Sequence, residues 1–216
     1  MNKILLILSF VVLASCAPTE VTYEGLVERQ GLKYEVNSLT PFSGISVKYY
    51  IKNDFGERVL DQRTTFEKGI RNGLHESFHP SGALQEKSNY KDGKLEGLQE
   101  AYHINGQLLS KSNYKNDELH GIDEWYRENG QLGHKVNHKD GREHGLSKYY
   151  YKNGQLMYKI NLKDGLQHGL REDYYDNGQL RSKLNYDGGK VSGLREDYYT
   201  NGQLRSKSNW KNGERL

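Results

Sequence analysis

His120, His144 and His168 recur at a fixed interval of 24 residues, and imidazole nitrogen is a common metal ligand. Ligands must converge to within about 2.1 Å of one ion. Side chains that step along a repeat do not converge, so these read as turn histidines and no metal site is expected. Glu76, Glu100, Glu124, Glu172 and Glu196 share another phase, with Lys148 in the slot between Glu124 and Glu172. Paired carboxylates can do acid–base work. Equivalent glutamates in successive units have no unique partner, however, whereas an active site is unique. Lys87, Lys111, Lys135, Lys159, Lys183 and Lys207 form a third set. If each unit adds two strands, these lysines follow one another at roughly 10 Å. Such a stripe could hold an anionic glycan, phospholipid headgroups or an acidic partner, or it could be a solvated face. A fourth set is aromatic: Trp125, Tyr149, Tyr151, Tyr175 and Tyr199 flank a further ring in each unit. Tyrosine and tryptophan beside lysine and asparagine suit a protein contact or sugar stacking, or they prop up a thin sheet. No phosphate-cradling glycine loop leads a strand into a helix. The sequence therefore predicts a protein that is not an enzyme and carries no cofactor.

The elements that must position these residues follow from the repeat. Asn-Gly-Gln-Leu begins at Asn105, Asn129, Asn153, Asn177 and Asn201, and glycines at 73, 97, 121, 145, 169 and 193 keep the same period. Six copies fill 73–216. A looser copy starts at Gly44, and a less regular stretch from Gly25 reads as the atypical cap that repeat proteins need. With the leading glycine as position 0, position 1 is always aliphatic, position 5 aromatic, position 11 leucine, position 14 lysine and position 16 asparagine. Glycine at 0, at 9 and usually at 20 leaves no room for a long helix. Two strands per unit fit, over about positions 1–6 and 10–17. One hairpin is not stable alone, so the expected fold is all-β: an elongated sheet of stacked antiparallel hairpins, single-layered or shallowly wound.

Register decides the faces. A three-residue loop at positions 7–9, closed by a left-handed glycine, pairs 5 with 11 and 1 with 15. Pro80 at position 7 suits a type I turn. This register places the aliphatic, the aromatic and the leucine together as core. It puts the lysine of position 14 and the asparagine of position 16 on the opposite face. There the lysine opposes position 2, near Asp173 and Asp197. Trp125, Tyr149, Tyr151, Tyr175 and Tyr199, at positions 4 and 6, join the lysines as the predicted binding face.

The chain of 216 residues has 31 Lys+Arg against 28 Asp+Glu, a net charge of +3. That near balance excludes a strongly basic nucleic-acid binder. A single cysteine excludes a disulfide framework. It sits in Leu13-Ala14-Ser15-Cys16, after Lys3 and the apolar run Ile4–Leu13. This resembles the bacterial lipobox, in which a signal peptide is cut before a lipid-modified cysteine. The resemblance implies a signal peptide over 1–15, lipidation of Cys16 and a short tether over 16–24. A cap with a degenerate copy (25–72) and the six repeats (73–216) follow. Acyl chains contribute about 0.8 kcal/mol per buried CH₂, so two or three anchor stably. By analogy with Gram-negative sorting, Ala17 after the cysteine favours the outer membrane.

The unit Tyr-Lys-Asp-Gly-Lys-Leu-Glu-Gly-Leu-Gln-Glu-Ala-Tyr (90–102), followed by Asn105-Gly106-Gln107-Leu108, resembles the bacterial variant of the MORN repeat. That unit is shared with the YwqK-like antitoxin family. The resemblance covers 44–216, and 25–44 more weakly. It implies an all-β repeat fold and a role in protein contact or lipid-surface binding. Together these readings predict a lipid-anchored envelope protein that scaffolds another protein. The alternatives are an antitoxin or immunity protein of a toxin–antitoxin pair, and a binder of anionic glycan or phospholipid headgroups.

Overall fold

The computed structural model describes residues 18–51 and 56–216. Lys3, the apolar run and Cys16 lie outside the described residues. The strands are β1 (Glu20–Thr22), β2 (Leu26–Arg29), β3 (Leu32–Glu35), β4 (Gly44–Ile51), β5 (Arg58–Glu67), β6 (Ile70–Phe78) and β7 (Leu84–Lys91). They continue with β8 (Lys94–Leu95), β9 (Gly97–Tyr102), β10 (Leu108–Lys115), β11 (Glu118–Tyr126), β12 (Leu132–Lys139), β13 (Arg142–Glu143) and β14 (Gly145–Tyr150). The last are β15 (Leu156–Lys163), β16 (Leu166–Tyr174), β17 (Leu180–Asp187), β18 (Lys190–Val191), β19 (Gly193–Tyr198), β20 (Leu204–Lys211) and β21 (Glu214–Arg215). All but β2 and β3 belong to one sheet, in which successive long strands pair antiparallel and the two-residue strands β8, β13 and β18 extend the same ladder, so that β9, β14 and β19 pair back to β7, β12 and β17; among the described residues only β1–β4 is parallel. The only helical element among the described residues is a single 3-10 turn at Tyr23–Gly25. The expected all-β file of stacked hairpins is the observed fold.

Each unit turns twice. At positions 7–9 the three-residue loop forms as expected: Tyr102 pairs with Leu108, the Gly106 amide donates to the His103 carbonyl, and Gly106 is left-handed at φ 81. At positions 19 and 20 a two-residue loop has both residues at positive φ, as in Asp92 (50) and Gly93 (83), and closes the Lys91–Lys94 pair. That geometry matches the right-handed twist of the strands.

Both edges are stitched from one unit to the next. Asn153 Nδ2 donates to the Asp176 carbonyl while its Oδ1 accepts from the Gln155 amide, and Asn177 repeats the arrangement with Thr200 and Gln179. Along the other edge the Gly165 amide donates to Glu143, and Gly189 to Gln167. The Asn-Gly corners therefore line up along one side of the sheet.

Two expectations need correction. Residues 20–22 are not tether: they form β1, which lies against Ile45–Val47 of β4. The pairing of position 1 with 15 does not occur either. Position 12 is the extra residue of a β-bulge, so beyond it 4 pairs with 13, 3 with 14 and 1 with 16. A one-residue slip exchanges the faces of everything past it. The position-14 lysine and the position-16 asparagine thus share a face with the aliphatic, the aromatic and the position-11 leucine. We call this the outer face. The inner face carries positions 2, 4, 13, 15 and 17.

The core moves accordingly. Positions 1, 5 and 11 are half-buried or exposed, with Ile122, Leu146 and Leu194 among the exposed apolar residues. The deepest position is 15, where Ser88, Ser112, Val136, Ile160 and Leu184 are buried. At the start of the sheet Val47, Phe66 and Phe42 complete the core, and Phe42 packs its ring against Phe66 at 6.1 Å. The hairpin β2–β3 docks there through Lys33 N to Gly69 O. Gly69 has no room for a side chain, since a Cβ would stand 2.8 Å from the Lys33 carbonyl oxygen.

Candidate functional site

On the outer face, glutamate at position 3 and lysine at position 14 alternate from strand to strand. Lys135 Nζ lies 2.8 Å from Glu124, Lys207 2.8 Å from Glu196 and Lys111 3.9 Å from Glu100, and Lys159 pairs with Glu172. The position-5 tyrosines add to each set: Tyr126, Tyr174 and Tyr198 donate their hydroxyls to Glu124, Glu172 and Glu196. Hydrogen bonding from Lys135 holds the Glu124 carboxyl below the usual carboxylate range. For Glu172, burial pushes the other way but the bonds from Lys159 and Tyr174 prevail, and its carboxyl is also held low. Four of the six ladder lysines are thus held in ion pairs rather than presented as an open positive stripe, while Lys87 and Lys183 stand across from Glu76 and Glu172 without a salt bridge among the described residues. One break occurs. Lys148 takes a glutamate's place, and Lys135, Lys148 and Lys159 stand directly opposite one another on three adjacent strands.

The inner face differs from unit to unit. Its middle row, positions 4 and 13, reads Trp125, His134, Tyr149, Tyr158, Asp173, Ser182, Asp197, Ser206 across successive strands. The first four form a continuous stack. Trp125 and His134 lie at 5.9 Å and 16°, His134 and Tyr149 at 5.6 Å, and Tyr149 and Tyr158 at 4.5 Å and 20°. Arginines close both ends, Arg127 5.5 Å from the Trp125 ring and Arg171 4.4 Å from that of Tyr158. Gly133, at the bulge, admits the indole: a Cβ there would meet Trp125 Cε3 at 2.2 Å. Burial in this stack pushes the Tyr149 phenol up to about 12. His134 beside Asp123, with a bond from Ser112, holds the Asp123 carboxyl low.

Beyond the stack, the last units build a groove of about 440 Å³ lined by Arg171, Arg181, Arg195 and Arg205 with Asp173 and Asp197. Arg171 grips buried Asp173 through Nε and Nη2, with Ser182 donating from the other side. Arg195 grips Asp197 in the same way, and this holds the Asp197 carboxyl low. A second cavity of about 450 Å³ lies under β2–β3 and is lined in part by Lys33, Lys48, Arg71 and His75. Its lysines are engaged, with Glu28 at 3.0 Å and Asp61 at 2.8 Å.

The sequence-predicted residues are thus divided. Trp125 and Tyr149 lie on the inner face, in the stack. Tyr151 and Tyr175 belong to the turn edge, where their hydroxyls donate to the Tyr174 and Tyr198 carbonyls of the next unit. Tyr199 is exposed beside Arg205. The six lysines are on the outer face, apart from the stack. His120, His144 and His168 each face an aspartate of the following unit, and among the described residues no cluster could hold a metal. Sequence reasoning missed His134, Tyr158 and the four arginines. The signal was there in reverse: these are the positions at which the copies differ.

The family model for the MORN repeat variant matches residues 71–92, 95–116, 143–164, 167–187 and 192–212. The chain belongs to the MORN repeat variant family. Its architecture is that of a repeat-built binding scaffold. No curated protein matches the chain. The stretch between the second and third matches, 117–142, carries Trp125, Gly133 and His134, whereas Tyr149 and Tyr158 lie within the third match.

Proposed function

We propose that this MORN repeat protein is a non-enzymatic, lipid-anchored component of the bacterial envelope, held by Cys16, whose inner face binds another protein. The observation that carries this reading is the stack Trp125–His134–Tyr149–Tyr158 on the variable face. The outer-face residues recur in nearly every unit because every unit needs the same hairpin. A binding surface has to break that symmetry, and here it does so with half-buried aromatics, the side chains that dominate protein hot spots. Crosslinking and pull-down from the native envelope test it. One stoichiometric partner, lost in Trp125→Ala/Tyr149→Ala, is expected, and a toxin in that position would make the protein an immunity factor. Partner capture indifferent to both changes refutes the assignment of the face. Cys16→Ser should release the protein from membranes; continued tight attachment refutes the anchor.

A second reading, contact with an anionic glycan or phospholipid headgroups, is favoured only by the three adjacent lysines 135, 148 and 159 on the outer face. Salt-sensitive retention on anionic vesicles that vanishes in Lys148→Glu would support it.

A further inference from the structure

We infer that the four-arginine groove takes an acidic peptide segment of the bound protein; this rests on reading the repeat sheet as a protein-binding scaffold. Two successive units carry the same set, Arg171, Asp173, Arg181 and Ser182, then Arg195, Asp197, Arg205 and Ser206. In each unit one arginine is spent on the aspartate. The other, at the bulge, is held more loosely: Arg181 pairs with Asp173 at 3.6 Å but its side chain stays half exposed, and Arg205 lies over the exposed Tyr199 ring. Four guanidinium groups face two carboxylates, so the groove keeps an excess of positive charge in a recess.

The two aspartates show what the groove accepts. Asp173 is 4 % exposed, yet its carboxylate is fully supplied by Arg171 and Ser182. Planar guanidinium forks match carboxylates two bonds at a time. Continuity favours protein: Arg171 both lines the groove and covers Tyr158, the last ring of the stack. A segment lying along the inner face would therefore meet aromatics first and arginines next. Equivalent arginines are spaced by two strands, roughly 10 Å. In a polyproline II conformation, side chains three residues apart point the same way about 9 Å from each other, so acidic residues at every third position would meet both sets.

Fluorescein-labelled poly-L-glutamate, titrated with the full chain at low ionic strength and read by anisotropy, tests the groove. Arg181→Glu/Arg205→Glu should weaken binding at least tenfold, and Arg181→Gln/Arg205→Gln by less. Lys111→Glu/Lys183→Glu on the outer face should leave binding within twofold. Equal weakening by the two pairs of charge reversals, or none by the arginine pair, overturns the assignment. Preferential binding of polygalacturonate or of phosphatidylglycerol vesicles, lost in the arginine variant, overturns it in favour of glycan or lipid. Envelope crosslinking separates this inference from its premise. A partner retained by Arg181→Glu/Arg205→Glu but lost in Trp125→Ala/Tyr149→Ala sinks the groove alone, and no partner with the unmodified chain sinks the scaffold.

Discussion

Gly133→Ala tests whether the bulge in the 121–144 unit exists to seat Trp125. Gly133 does not have a positive φ, so alanine suits the backbone there. By itself the change should stabilise by about 0.4–1 kcal/mol, because it narrows the unfolded ensemble. The new methyl would, however, lie 2.2 Å from Cε3 and 2.4 Å from Cζ3 of the indole. The ring must move. Overpacking of this kind costs about 1–3 kcal/mol, and loss of the stack on His134 costs a further ~0.5–1.5 kcal/mol. The net expectation is a destabilisation of about 1–3 kcal/mol, since these terms overlap.

The informative measurement is a double-mutant cycle with Trp125→Ala, read by urea unfolding in a Trp210→Phe background that leaves Trp125 as the sole indole. In Gly133→Ala, the Trp125 emission should shift red as the ring leaves its site. With Trp125 already alanine, nothing opposes the methyl, and Gly133→Ala should become neutral or stabilising, detected by circular dichroism. The coupling energy is thus expected to exceed about 1 kcal/mol, the size seen between residues in direct contact. If Gly133→Ala destabilises equally with and without the indole, the glycine is needed for the bulge backbone and the packing argument fails.

Lys148→Glu restores the alternation of lysine and glutamate between Lys135 and Lys159 and removes two like-charge cross-strand neighbours. It should stabilise by about 0.2–1 kcal/mol, visible as a higher melting temperature at low salt that fades at high salt. Asn177→Ala deletes the bonds to the Thr200 carbonyl and the Gln179 amide and should cost about 0.5–1.5 kcal/mol, with hydrogen exchange rising at the turns of both units joined there. Acid should destabilise the sheet. Asp123, Glu124, Glu172 and Asp197 all have carboxyls held below their ordinary values. Their stabilisation is therefore complete above the unfolded value, about 4, and is lost as pH falls through the lower folded values. Burial also holds the His75 imidazole below its ordinary value, so melting temperatures should decline slightly from about pH 6.5 and more steeply below about pH 5; a rise on acidification would contradict the ion-pair row.

How far the fold was legible depended on which residues carry backbone geometry. The Asn-Gly corners demand left-handed glycine, so loop length and the 5–11 pair could be read directly. The bulge could not be read at position 12 itself, because Gln85, Leu109, Gly133, Met157, Arg181 and Arg205 have no chemistry in common. It was nevertheless written elsewhere. Glutamate at position 3 and lysine at position 14 recur together, and opposite charges that recur together in a sheet belong across from each other. Pairing 3 with 14 while 5 pairs with 11 leaves one residue over, which is a bulge. The binding face was hidden by a similar inversion. Invariance among copies marks what every hairpin needs to stack, and that is the outer face of tyrosine, glutamate, lysine and asparagine. Recognition requires difference, and difference is concentrated in the inner rows and the bulge beside them, where serine gives way to tryptophan, histidine and tyrosine and then to arginine and aspartate. A repeat protein of this kind is best read twice, once for what its copies share and once for where they part.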